Sequence, residues 1–200
     1  VIQKMIFDKL GMSNSYPGDE PVEGMSVGYH RDLGQDELDR MELIGDELIY
    51  GDPVDEVNIR GLKYDYVGTA AAGSVMATLE DMCTYSKALL NKSNGIISQD
   101  VFDSMLEVQY SPDPDLSIKM GLGFQVKSIF GHYAYGHNGG ISGGWNTVML
   151  LFPKLDFGLM IHLNLSSGLV EEITDEIVYA LLGKPAIDIV KTPINDDQKN

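Results

Sequence analysis

The stretch Tyr135-Gly136-His137-Asn138-Gly139-Gly140-Ile141-Ser142-Gly143-Gly144-Trp145 sets glycines at 136, 139, 140, 143 and 144 around one histidine, just ahead of an apolar run. Glycines at that density let a second backbone or a small molecule come close, and they permit dihedrals that a Cβ forbids. Reading downstream, residues 145–152 and 157–163 are apolar runs separated by Pro153-Lys154-Leu155-Asp156, which predicts an antiparallel hairpin. Both strands read as buried on both faces. Leu169, Val170, Ile173, Ile177, Ala180 and Leu181 share a helical stripe that ends at Gly183, suited to covering that sheet. Upstream, residues 121–126 and 133–135 read as short strand-like pieces, so the histidine stands at the end of a strand shortly before the hairpin.

The first half has helical periodicity. Val1, Ile2, Met5, Ile6 and Leu10 fall on one face and Gly11 follows as a left-handed cap. Thr78 offers an N-cap oxygen ahead of the stripe Leu79, Met82, Cys83, Leu89 and Leu90, and Ser98 repeats the device before Val101, Phe102, Met105 and Leu106. Between these, residues 32–65 carry eleven acidic side chains against Arg40, Arg60 and Lys63, with no sustained period. They read as a solvated, irregular excursion. The expected organisation is α+β: residues 1–115 as part of a helical subdomain with the acidic insertion, residues 116–184 as antiparallel strands plus a C-terminal helix, and residues 185–200 as a polar tail.

Composition removes several classes of function. A net charge of −16 leaves no basic groove for nucleic acid. The apolar run at 148–152 stops at Pro153-Lys154, far short of the roughly 20 residues a spanning helix needs. Cys83 is the sole cysteine, so no internal disulfide forms, and its place beside Met82 reads as a buried structural thiol. The sequence opens on an amphipathic segment with no initiator Met or signal sequence, and reads as beginning inside a domain.

The glycine-histidine stretch is a poor phosphate loop, because no Lys follows and no helix begins there. His132 and His137 lack a matched ligand cluster, so neither a metal nor another cofactor is expected. Four segments in order point elsewhere. Leu10-Gly11-Met12 with Ser15 resembles the L-G-M-x-x-S/T turn of class C β-lactamase-like proteins. Ala72-Gly73-Ser74 leading through Thr78 to Asp81-Met82 resembles their A-G-G/S and S/T-x-x-D-M/L helix entry. Gly121-Leu122-Gly123-Phe124 and His137-Asn138-Gly139 resemble their G-x-G-F/W strand and H-x-G box, and Phe152-Pro153, Gly158 and Asn164 resemble the closing hairpin. Together the segments cover roughly residues 1–182.

The resemblance is to the β-lactamase and penicillin-binding-protein family, and it implies a serine hydrolase working through an acyl-enzyme on an amide, lactam or ester. Family members use S-x-x-K with the nucleophilic Ser, Y-x-N, and K-T-G or H-x-G on the strand that edges the cleft. Here no Ser is followed three residues later by Lys, and Tyr85-Ser86-Lys87 is the nearest approach to Y-x-N. Because both elements precede the matched segment in the family, the resemblance implies that they lie on polypeptide outside these residues, and that this chain alone is inactive. It also implies that residues 148–152 and 173–181 pack against that missing N-terminal half.

On the same resemblance, His137 faces the cleft and hydrogen-bonds substrate or assists proton transfer. The Gly140 N–H is one oxyanion-hole donor, and Asn138 and Gly139 bind substrate along the strand edge. The implied partners are a small-molecule or peptide substrate and either the missing half or a second copy. A non-catalytic module of the same fold, recognising peptide or cell-wall fragments, is the alternative. His162, flanked by Ile161 and Leu163, reads as a hydrogen-bonded core residue, and Trp145 as an aromatic packed on the core.

Overall fold

In the computed structural model, the described residues are 1–18, 22–31, 59–62, 70–111, 118–141, 144–166 and 168–183. The acidic excursion lies outside them except for 59–62, and so does the polar tail.

The chain begins with a wide i→i+5 turn, Gln3–Phe7, running into the short helix α1 (Asp8–Leu10), which Gly11 closes at φ +70°. The wide turn shifts the helical phase. Phe7 is therefore the buried residue, while Val1 and Met5, expected on the inner face, are 95% and 48% exposed. Strand β1 (Ser15–Pro17) follows, then β2 (Gly28–Arg31), β3 (Ile59–Leu62), helix α2 (Ala70–Gly73) and β4 (Val75–Ala77). Helix α3 (Leu79–Leu90) starts as expected at Thr78, whose hydroxyl accepts from the Asp81 N–H at 3.3 Å. Helix α4 (Gln99–Leu106) starts at Ser98 by the same device. The buried Asp81 carboxylate also accepts from the Asn14 N–H at 2.7 Å and the Ser15 hydroxyl at 2.8 Å. The Leu10–Ser15 turn and the entry of α3 are thus one joint, held by a carboxylate whose burial would be costly without those donors.

The second half forms β5 (Ile118–Met120), β6 (Gln125–Ile129), β7 (His132–Ile141), β8 (Trp145–Phe152) and β9 (Phe157–Leu163), then β10 (Leu165–Ser166) and helix α5 (Leu169–Leu181). Strands β5 to β9 make one antiparallel sheet in sequence order. The predicted hairpin is β8–β9, closed by a 3₁₀ turn at Pro153–Leu155 with Asp156 left-handed. The short pieces read at 121–126 and 133–135 are corrected. Residues 121–124 form a turn, with Gly123 at φ +77°, and the second piece belongs to a strand running on to Ile141. Two small sheets flank the main one, β1 with β4, and β2 with β3 and β10.

The main sheet has a core on each face. On one side Ala134, Val148, Leu150, Phe152 and Ile161 pack against Val170 and Val178 of α5. On the other, Tyr135 and Leu151 pack against Leu89, Phe102 and Phe124 under α3 and α4. Phe124 stands edge-on to Phe102 and Tyr135 at 6.2 and 5.6 Å between centroids. The buried Tyr135 hydroxyl donates to the Leu89 carbonyl at 3.1 Å, and loss of solvent pushes its pKa up to about 12. Cys83 on α3 is half-buried rather than in the core. The expectation that residues 148–152 would contact a missing half is corrected, since Val148, Leu150, Leu151 and Phe152 are buried in the centre of the sheet.

Candidate active site

Strand β7 changes character halfway along. Residues 132–136 pair with β6 on one side, and Tyr135 through Ile141 pair with β8 on the other. Past Gly136, β6 is no longer alongside, because the chain leaves β6 through the turn at 121–124. That turn is seated on the end of α4 by the Leu122 N–H donating to the Met105 carbonyl at 2.8 Å. A Cβ on Gly121 would stand 2.3 Å from the same oxygen, so only glycine allows the turn to sit so low. The result, among the described residues, is an open edge at residues 137–141. In an antiparallel ladder every second residue directs both N–H and C=O to one side, so alternate backbone groups here face that edge.

Side chains alternate between the two layers. Tyr135 faces α3 and α4, which puts His137, Gly139 and Ile141 on that side, while Ala134, Asn138 and Gly140 belong to the α5 side. His137 is exposed, with Nδ1 in short contact with the Asn138 carbonyl oxygen. The Asn138 amide is turned toward the α5 side: its Oδ1 accepts from Gln125 Nε2 at 2.9 Å and its Nδ2 donates to Glu171 at 3.4 Å. The neighbouring Lys127 has its pKa lowered by burial, opposed by Asp175 and Glu171.

Gly139, Gly140 and Ile141 form one wall of a cavity of about 850 Å³. Tyr16, Met76, Leu79 and Met82, from β1, β4 and α3, line it as well, as do Trp145, Thr147 and His162 of the main sheet. His137 and Asn138 stand just outside it. A Cβ on Gly139 would lie 3.0 Å from Thr147 Oγ1, and one on Gly140 2.7 Å from Asn146 Oδ1, so both glycines keep this stretch of strand close to its neighbour.

Two expectations are overturned in this lining. His162 is exposed to the cavity instead of sitting in the core, because β9 is not buried on both faces: Gly158 and His162 are its open positions. The layer around the ring still removes enough solvent to hold its pKa below the ordinary value. Trp145 is half-buried and lines the cavity, its Nε1 donating to Ser26 at 2.9 Å. Thr147 and His162 have a signal in the sequence, since hairpin register places Thr147 opposite both Gly139 and His162. Register becomes readable only once the strand ends are known. Among the described residues, no group of three or more His, Cys, Asp or Glu is arranged to hold a metal, and no helix is long and apolar enough to cross a membrane.

This arrangement has counterparts among solved structures. The octameric penicillin-binding protein homologue from Pyrococcus abyssi superposes with a TM-score of 0.71 at 21% identity, over 92% of this chain and 37% of its own. D-amino acid amidase from Ochrobactrum anthropi SV3, complexed with D-phenylalanine, gives 0.69 at 22%, over 91% of this chain and 51% of its own. A penicillin-binding protein from Bacillus halodurans gives 0.60 at 18%, over 90% and 48%. The chain thus spans about half the length of these proteins or less, and identities this low establish the fold alone. No curated protein sequence matches. The sequence profile of the Beta-lactamase family, however, matches residues 1–184. With nearly the whole chain matched in sequence and the same fold in three solved structures, this chain belongs to the β-lactamase family.

Proposed function

We propose that the chain is the C-terminal portion of a serine hydrolase that acts through an acyl-enzyme on an amide, lactam or ester. The nucleophilic Ser and its Lys come from polypeptide outside these residues. One observation carries the reading: past Gly136 the edge of β7, which has no strand on its β6 side among the described residues, contributes Gly139, Gly140 and Ile141 to the lining of a cavity of about 850 Å³. In the reaction the Ser Oγ gives its proton to a neighbouring base and adds to the substrate carbonyl carbon, and the carbonyl oxygen takes up negative charge. The Gly140 N–H and the nucleophile's own N–H donate to that oxygen. A donor of this kind contributes about 3 kcal/mol to the transition state. The C–N or C–O bond then breaks, the leaving group departs with a proton, and water hydrolyses the acyl ester.

His137 at the open edge hydrogen-bonds substrate or passes the proton to the leaving group, and Asn138 and Gly139 hold substrate along the strand. Residues 1–115 act as part of the helical wall and 116–184 as the sheet. The amidase neighbour, whose structure carries D-phenylalanine, supports an amide of amino-acid size. The test is to treat the complete translation product with a fluorophosphonate probe and assay a chromogenic ester, nitrocefin and a D-amino acid amide, before and after His137→Ala. Covalent labelling with at least a tenfold loss of turnover in the variant is expected. Unchanged turnover removes His137 from the mechanism, and absence of labelling leaves a non-catalytic binding module.

A further inference from the structure

Helix α3 borders two separate cavities. Its first turns, at Leu79 and Met82, line the cavity that holds the β7 edge. Its last turns, at Thr84, Lys87, Ala88 and Asn91, line a second cavity of about 230 Å³, closed on the other side by Lys9 and Leu10 of α1. The two share no residue. Positions 84, 87, 88 and 91 fall on one helical face, so the second cavity is the groove where α1 packs on that face.

The charge of this groove runs against the chain. Asp and Glu outnumber Lys and Arg by 30 to 14, yet two lysines and no carboxylate line it. Among the described residues, neither Lys9 nor Lys87 has an ion pair or a side-chain hydrogen bond, and the side-chain amide of Asn91 is equally uncommitted. Asp8, next to Lys9, accepts instead from Gln3 Nε2 at 2.7 Å. Thr84 spends its hydroxyl proton on the Glu80 carbonyl at 3.1 Å, which leaves the two ammonium groups and the Asn91 amide as the donors. The carbonyl end of α3 would by itself repel an anion. The Asn91 N–H covers two of those carbonyls, at Lys87 and Leu89, and the lysines outweigh the remainder.

We infer that Lys9, Lys87 and Asn91 form a binding site for a phosphate dianion, free or as a small monoester, apart from the β7 edge. Two ammonium charges match the charge of roughly −1.5 to −2 that such a group carries near neutral pH, and three donor side chains match its three terminal oxygens. A carboxylate offers one charge and two oxygens, half of what the site supplies. Lysines bind phosphate as point charges and need no planar fork. The cavity is several times the roughly 30 Å³ share of one water, so it takes a phosphate and part of the group that bears it. A bound phosphate ties α1 to the last turns of α3, while Asp81 already ties residues 14 and 15 to the first. The helix is then gripped at both ends.

The test uses the complete translation product, the Lys9→Gln/Lys87→Gln double variant, and Lys119→Gln on β5 as a control for loss of charge elsewhere. Calorimetric titrations with inorganic phosphate, glycerol 3-phosphate and malonate are run at constant ionic strength, beside sedimentation with phosphatidylcholine vesicles containing phosphatidic acid. Phosphate stabilises folded chains in general by exclusion from their surface, so direct binding is read rather than melting alone. Binding of at least one phosphate probe is expected, weakened at least tenfold in the double variant and unchanged in Lys119→Gln. Both lysines are exposed, so the variant should fold, and its circular dichroism checks this. The probe whose binding depends on the lysines names the source: free phosphate, a soluble monoester or a lipid headgroup. Absence of binding in every arm overturns the site, as does equal binding by the double variant or an equal loss in Lys119→Gln. Malonate bound as tightly as phosphate overturns the ligand class.

Discussion

Strand β7 is buried from Ala134 to Gly136, with Tyr135 and Gly136 paired to both β6 and β8; from His137 on it is mostly exposed and, among the described residues, pairs with β8 alone. The same strand thus supplies structure as far as Gly136 and a candidate site beyond it. The difference teaches that the site is made less by special side chains than by the place where β6 stops. Glycines serve opposite ends in the two halves. At Gly136 a Cβ would stand 1.9 Å from the Met149 carbonyl oxygen, so the bare backbone is needed for the sheet to close. At Gly139 the nearest atom is the end of a threonine side chain, and the bare backbone keeps the wall clear.

The largest effect should come from breaking that contrast. Gly136→Ala forces backbone apart in the middle of the sheet and should cost about 3 kcal/mol or more, whereas Gly139→Ala should cost under about 1 kcal/mol. Urea melting of the two variants checks this, and equal losses would mean the halves are not distinct. Tyr135→Phe comes next. Near neutral pH it should cost about 1 kcal/mol for the lost bond to Leu89. The folded hydroxyl titrates at about 12 and the unfolded one near 10. Its stabilising contribution is therefore full below pH 10 and fades as pH rises toward 12, as the unfolded state sheds the proton first. Thermal melts across that range should show a shallower fall in the variant.

His162 tests the cavity lining. Its folded pKa is depressed, so below about pH 6.5 the unfolded state takes up the proton before the folded state does. Stability should decline from there downward, and His162→Gln should flatten that slope; an unchanged profile would mean that the ring is as solvated as in the unfolded chain. The smallest effect is expected at the open edge. His137→Ala should shift stability by less than about 0.5 kcal/mol, because the ring is exposed. A larger loss on melting would show that this half of β7 is structural as well.

Much of this was legible in the residues. The caps at Thr78 and Ser98, the β8–β9 hairpin and helix α5 were readable because each depends on neighbours a few residues apart. Gly139 and Gly140, which line the cavity, stand in a stretch marked by its glycine density. The wide turn at Gln3–Phe7 was not legible, since it shifts the phase on which periodicity relies. Thr147, His162 and Trp145 were read as core or passed over, because an apolar strand looks the same whether its second face meets a helix or a cavity.

The amino-acid sequence by itself determined the local elements and the family, since these rest on short-range spacing. Only the tertiary structure decided that, among the described residues, β7 has no strand on its β6 side after Gly136, that Asn138 turns toward Glu171, and that His162 lines the cavity. Those outcomes depend on where strands from distant parts of the chain begin and end against one another, and pairing across such distances leaves no period in the sequence.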